Sequence, residues 1–407
     1  MYHKHRLSNG IRLIHRQSSS PVSHCGMIIN AGSRDELPEE QGLAHFIEHV
    51  IFKGTKHRKS FHIMSHMENV GGEINAYTSK EETCIYGSFM HPYYERWFDI
   101  LSDITLQSTF PEKELVKEKD IVIDEINSYK DTPSEQIIDD FDEVVFDGHP
   151  LGRNILGTPN HLDSFSRQDI FDFLDRHYVS EEIVICSVGN IDFTRLIYLA
   201  EKYFGGLPQK SRNHQREPYH NYRPQHEVVE RQNHQAHCMI GNQSYSLKND
   251  RKTALLLLNN ILGGPGLTAR LNMSVREKHG FCYHIESMYQ PYSDGGIWGI
   301  YFGTDPGYVD KTMKLVQKEL SRLRNNTLGS LQIKRAKNQL CGQVNMAHES
   351  NLTEMLYIGK KMLHFNHSDT LHEINRRIEA VTAAQLIEAA NEVMDANQLS
   401  SLAYKAS

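Results

Sequence analysis

The chain has 407 residues, too many for one ordinary core, so at least two domains are expected. Hydrophobic residues at 39% and charged residues at 23% are the balance of a soluble globular protein, and a net charge of −7 without a Lys/Arg-rich block excludes nucleic acid as a main partner. The longest apolar stretches, Ala254–Leu258 and Ile183–Val188, are too short to cross a bilayer, which excludes a membrane-spanning role.

The opening Met1-Tyr2-His3-Lys4-His5-Arg6 is polar and shows no secretory signal. Six scattered cysteines (25, 84, 186, 238, 282, 341) lack paired C-x-x-C spacing and read as reduced thiols, so a cytoplasmic location is expected. Strands are predicted over 11–15 and 24–31, then helices over 41–52 and 59–70. A hairpin follows, Ile74–Ser79 to Thr83–Phe89, with its second strand running over 83–90. Helices over 93–108, 111–130, 134–146 and 167–177, a strand over 183–189 and a helix over 192–203 complete the first half. A polar stretch over 207–223 reads as a linker between domains 1–206 and 224–407.

The two halves share one layout. His24-Cys25 opens an apolar strand-like run, and His237-Cys238 opens another 213 residues later. At that offset His45, Glu48 and His49 correspond to Leu258, Ile261 and Leu262, inside the apolar run Thr253–Leu262. Internal duplication is expected, with an equivalent helix in the second half whose polar chemistry has been replaced by packing. The fold class that follows is α+β, with two homologous domains, each a mainly antiparallel sheet packed against helices.

Residues His45-Phe46-Ile47-Glu48-His49 form an H-x-x-E-H signature inside the helix predicted over 41–52. Four residues apart on a helix, His45 and His49 leave one face and can grip a single cation, with Glu48 beside them. A catalytic zinc usually takes three protein ligands and one open position, so a further ligand, a carboxylate, is expected. The helix over 111–130 holds six acidic candidates within 112–125, most of them suited to a solvated face. Leu115, Glu118, Val122, Glu125 and Tyr129 follow a 3-4-3-4 rhythm, which puts Glu118 and Glu125 on an apolar stripe. A carboxylate there is costly unless paired or metal-bound, so both are candidates.

Ala31–Glu36, Gly42–His49 and Phe52-Lys53-Gly54-Thr55 together resemble the active-site segment of the pitrilysin, insulin-degrading enzyme and mitochondrial processing peptidase family. The resemblance covers essentially the whole chain, as a short, two-domain, bacterial-type member. It implies a third zinc ligand some 75 residues after the second histidine; Glu125 lies 76 residues beyond His49. It implies a supporting glutamate one heptad earlier, which is Glu118. Gly71–Thr78 resembles the family's substrate-pairing edge strand, so Asn75 would contact substrate and Ala76 would offer main-chain groups. Arg276 and Tyr283, seven apart, match the family's Arg/Tyr pair that acts on substrate from the C-terminal domain; Phe281 and Cys282 depart from the commoner residues between them.

The function implied is a zinc-dependent endopeptidase acting on peptides or unfolded segments within a closed chamber. One Zn²⁺ per chain would be held by His45, His49 and Glu125, with Glu48 as general base and Arg276 and Tyr283 steadying the oxyanion. A two-domain chain carrying both constellations implies a homodimeric clamshell. The alternatives are a processing-peptidase-like subunit with a different partner chain, or a non-catalytic structural homologue. Gly263-Gly264-Pro265-Gly266 lacks the Lys-Ser/Thr of a phosphate loop and reads as a helix stop. His57, His62 and His66 read as ordinary surface or core histidines, and Tyr93, Tyr94, Trp97 and Phe98 as helical core packing.

Overall fold

The computed structural model describes residues 2–406. They form two compact units. The first is built from residues up to Asn127 with Asn154–Arg216 and Met346–Thr370; the second comprises Ser128–Arg153, Glu217–Asn345 and the chain from Leu371 onward.

Six strands make the sheet of the first unit: β1 (Tyr2–Arg6), β2 (Arg12–Gln17), β3 (Val22–Ile29), β4 (Glu73–Thr78), β5 (Thr83–Met90) and β6 (Ile183–Gly189). Their order is β1-β2-β6-β3-β5-β4. Only β2 and β6 run parallel; the other pairings are antiparallel. Every residue of β6 is buried, so it reads as a continuous apolar run instead of alternating. The reason is that both faces of the sheet are covered. On one face Met27, Ile85 and Ile185 pack with Trp97, Phe98, Ile104, Leu199 and Phe204 of the helices Tyr94–Leu106 and Phe193–Phe204. On the other, Ile28, Val184 and Cys186 meet Met355, Ile358 and Met362 of the helix Asn351–Phe365. Gly359 permits that approach, because a Cβ there would lie 2.6 Å from Ile28 Cδ1 and 2.7 Å from Cys186 Sγ.

In the second unit, β7 (His226–Arg231), β8 (Ala236–Gln243), β9 (Cys282–Pro291), β10 (Gly296–Thr304) and β11 (Ser400–Ala406) are ordered β7-β11-β8-β10-β9. This is the order of β2-β6-β3-β5-β4, and the single parallel pair, β7 with β11, occupies the place of β2 with β6. The duplication read from the His-Cys pairs is therefore present in the topology. The helix Lys252–Gly263 holds the place after β8 that the motif helix holds after β3, and Leu258 and Leu262 are buried in its core. The opposite face of this sheet is covered by Ile137, Phe141 and Val145 of the helix Pro133–Val145.

Packing does not follow chain order. The segment Ser128–Arg153 belongs by packing to the second unit, and Met346–Thr370 to the first, so each sheet receives a helix from the other half of the chain. Hydrophobic periodicity makes the helix over 134–146 legible, but it does not say which sheet that helix covers. The secondary-structure readings fall close to the observed bounds. The motif helix is shorter than 41–52, running Leu43–Val50, because Gly42 takes a left-handed conformation and starts it. The polar composition of the edge strand β1 hides in sequence the pairing it makes with β2.

Candidate metal centre

The motif helix Leu43–Val50 is anchored by Leu43, Ala44, Phe46, Ile47 and Val50, all buried, and this fixes the face that carries the histidines. Its N-cap, Gly42, has φ of 93° and no side chain to cap with. The Glu36 carboxylate does this instead, accepting the backbone N–H of Gly42 at 3.0 Å and of Ala44 at 2.8 Å. His45 and His49 emerge side by side with ring centroids 4.7 Å apart.

The acidic helix Glu112–Lys130 brings the carboxylates. Leu115, Val122 and Ile126 seat it, and Lys119 Nζ donates to the carbonyls of Asp163 and Phe165, which fixes its rotation. Glu125 Oε2 lies 3.3 Å from His49 Nε2 and 3.9 Å from His45 Nε2. One donor atom from each of His45, His49 and Glu125 falls within 4.8 Å of the other two. Zinc bonds of about 2.0–2.1 Å in a tetrahedron place ligand atoms roughly 3.3 Å apart, so this donor set fits zinc with little adjustment. Glu125 is partly exposed, while Ile126 takes the buried place on the stripe. The same rhythm therefore leaves Glu125 partly open to solvent and Glu118 buried.

Glu118 is buried; its Oε2 is 3.4 Å from His49 Nδ1 and its Oε1 pairs with Lys53 Nζ at 2.7 Å. A carboxylate on the far nitrogen of a ligating histidine fixes its tautomer and ring orientation. Burial, and secondarily the neighbouring His49, push the His45 imidazole down to about 4, so it stays neutral and able to donate a lone pair near neutral pH. Burial raises the Glu48 carboxyl above its ordinary value; Thr78 and His49 oppose the rise and Glu125 adds to it. A carboxylate of raised basicity beside a cation site is suited to proton transfer.

β4 is an outer strand of its sheet, paired only with β5, and it runs beside the motif helix. Asn75 is exposed and opposite Tyr86, and Ala76 is opposite Ile85 with its side chain toward the core. Its outer edge offers backbone groups to an extended chain. In the second unit, Arg276 sits in a π-helical turn, Asn272–Glu277, and Tyr283 near the start of the outer strand β9. Tyr283 is 82% exposed, and the Arg276 guanidinium lies 5.3 Å from its ring centroid. Arg276 and Tyr283 are thus brought together, as are the metal donors in the first unit. Among the described residues, no grouping of three metal donors contains His57, His62 or His66. Every described cysteine is free. Among the described residues, no helix is long and apolar enough to cross a membrane.

Two further side chains support the centre without a signal in the sequence. Lys53 neutralises Glu118, and Glu36 caps the motif helix from six residues before Gly42. The usual capping signal is a polar side chain at the N-cap itself, and a glycine there conceals it.

Comparison with known proteins agrees with this anatomy. The family described as "Insulinase (Peptidase family M16)" matches residues 12–159, and "Peptidase M16 inactive domain" matches residues 164–340. An uncharacterized zinc protease, YmxG of Bacillus subtilis, is 32% identical over 94% of this chain and 93% of its own length. The mitochondrial-processing peptidase subunit beta of Bos taurus is 30% identical over 94% of this chain and 79% of its own. The crystal structure of a protease from Helicobacter pylori superposes with a TM-score of 0.92 at 19% identity, covering 100% of this chain and 99% of that one, which establishes the shared fold. With the donor set and duplicated sheets already in view, these matches make the chain a short, two-unit member of peptidase family M16, the insulinase or pitrilysin family.

Proposed function

We propose that this protein is a zinc-dependent endopeptidase acting on peptides and unfolded polypeptide segments, with His45, His49 and Glu125 as the metal ligands. The observation that carries the reading is the convergence of these three donors on one point, with Glu48 adjacent and Glu118 behind His49. Relatives named zinc proteases support it. When bound, zinc polarises a carbonyl and lowers the pKa of a water molecule. Glu48 is the group that would take a proton from the attacking water and return it to the leaving amine; its burial-raised basicity suits both transfers. Glu118 holds His49 in place through Nδ1. The free edge of β4 pairs with extended substrate, with Asn75 beside the scissile bond and Ala76 supplying main-chain groups. Arg276 and Tyr283 steady the substrate carbonyl as negative charge develops on it.

The halves are unequally armed: the motif helix bears the donors, whereas the equivalent helix presents Leu258 and Leu262. This supports a homodimeric working form, in which two copies enclose a chamber and each zinc centre meets its partner's Arg/Tyr pair. A second reading, one active subunit of a hetero-oligomer, is favoured by the relative whose name makes it a subunit. The deciding experiment measures zinc content and mass of the purified protein, then digests a mixture of unfolded peptides with and without chelator. One zinc per chain, a mass of twice the chain and chelator-sensitive cleavage are expected. Cleavage that survives exhaustive chelation would end the metallopeptidase reading, and cleavage only with a second, different chain would favour the subunit reading.

A further inference from the structure

The residues 208–225 form no helix or strand, yet two of their arginine side chains are largely enclosed. The side chains of Arg212 and Arg216 are each 9% exposed, and both pair with Asp35, whose side chain is fully buried. Arg216 donates through Nε at 3.0 Å to Asp35 Oδ1 and through Nη2 at 2.7 Å to Asp35 Oδ2. Arg212 reaches the same carboxylate and donates to the Asn30 carbonyl at 3.0 Å. Such a paired, doubly bonded carboxylate holds its backbone rigidly, because losing one partner leaves a buried charge unmatched.

What this clamp holds is the turn Ser33–Asp35 directly before Glu36. The same turn is tied to the tip of the β4–β5 hairpin. Ser33 N–H donates to the Ser79 carbonyl at 3.1 Å, Arg34 N–H to Lys80 at 2.8 Å, and Arg216 to the Glu81 carbonyl at 2.7 Å. Arg34 also forms a buried ion pair with Glu81 at 2.6 Å. Glu36 then caps a helix of only eight residues, in which His45 is the third. A helix that short is marginal alone, so its first turn depends on the cap.

We propose that Arg212, Arg216, Asp35 and Glu36 are positioning residues for the metal centre: the arginines lock the turn, the turn aims Glu36, and Glu36 holds the helix end that presents His45. The inference rests on His45, His49 and Glu125 being the zinc ligands. It also makes the stretch after Gly206, which looks like a passive connector in sequence, a working part of the first unit.

The test compares Glu36→Gln, Asp35→Asn, Arg216→Ala and Arg216→Lys with Leu199→Ala, a core variant in the helix Phe193–Phe204 that should lower stability away from the site. Zinc affinity is measured by chelator competition, kcat and KM on a fluorogenic peptide, and folding by circular dichroism and urea midpoint. Glu36→Gln and Arg216→Ala should weaken zinc about tenfold or more, with kcat falling alongside at limiting zinc and KM within about twofold. Arg216→Lys should recover part of the loss, and Leu199→Ala should keep wild-type zinc affinity despite its lower midpoint. The proposal is overturned if folded Glu36→Gln and Arg216→Lys keep wild-type zinc affinity and kcat, or if Leu199→Ala loses zinc equally. If Arg216→Ala does not fold, Glu36→Gln and Arg216→Lys decide. A wild type that holds zinc but cleaves nothing defeats the peptidase reading, yet loss of zinc in Glu36→Gln would still support the positioning role. An active wild type with unchanged zinc affinity in Glu36→Gln does the reverse.

Discussion

Three glutamates near two histidines have three environments, and those environments separate their roles. Glu125 is partly open and faces both imidazoles, Glu118 is buried between His49 and Lys53, and Glu48 is half-buried and drawn toward its protonated form. Glu48→Gln should therefore retain zinc and lose turnover by several orders of magnitude, because the amide keeps shape but accepts no proton. Glu125→Gln should release zinc, and Glu118→Gln should cost about 10–100-fold in affinity or activity. Zinc retention in Glu125→Gln together with an empty Glu48→Gln would reverse the assignment. His177 gives a separate pH signature. It is buried, neither ring nitrogen has a hydrogen-bond partner, and burial brings it down to about 4 from 6.5, with Asp35 opposing and Arg212, Arg176 and His214 reinforcing. The unfolded chain thus binds more protons than the folded one between about pH 4 and 6.5. This contribution to stability is fully present above that window and is lost as pH falls through it, roughly 3 kcal/mol. Urea titrations across that range should show a flatter slope for His177→Gln than for wild type; equal slopes would mean that His177 already titrates normally.

At the scale of elements, the short motif helix and the long acidic helix are seated in different ways. The first is held by a buried apolar face and a remote carboxylate cap, the second by Leu115, Val122 and Ile126 and by the two carbonyl contacts of Lys119. Neither histidine nor Glu125 would stay in register if either helix rotated by one residue, about 100°. The helix Asn351–Phe365 does comparable work for the sheet, meeting β3 and β6 where an added Cβ at Gly359 would force Ile28 and Cys186 to shift. Gly359→Val should therefore lower stability by roughly 1–3 kcal/mol through overpacking against Ile28 and Cys186. A urea midpoint equal to wild type would show that this helix is not packed on the first sheet as described.

For the whole molecule, the duplicated topology separates two chemistries. The first unit carries the candidate metal donors; the second carries Arg276 beside the Tyr283 ring and an apolar helix in the equivalent place. If a partner's Arg/Tyr pair completes each zinc centre in a C₂ dimer, two differently crippled chains can restore one site between them. Glu48→Gln and Tyr283→Phe proteins, inactive alone, should recover part of the wild-type activity after verified subunit exchange. No recovery despite exchange would mean that each chain completes its own site, and an active monomer would remove the dimer altogether.

The H-x-x-E-H spacing, the 3-4-3-4 stripe that singled out Glu118 and Glu125, and the repeated His-Cys run were all legible in the sequence. Each is local or periodic: a helix repeats every 3.6 residues, so residues four or seven apart share a face whatever the chain does elsewhere. The 76-residue step from His49 to Glu125 had no such local warrant and needed the family resemblance. Tertiary structure decided the rest. It closed the gap between Glu125 and His49 to 3.3 Å, and separated a buried Glu118 from a partly open Glu125 on one stripe. It placed the helix Pro133–Val145 on the second sheet and Asn351–Phe365 on the first. It also joined Arg212 and Arg216 to Asp35 across about 180 residues of chain. Such pairings depend on burial and on which charged groups meet once the sheets have formed, and an amphipathic pattern records that a face must be covered without recording by what.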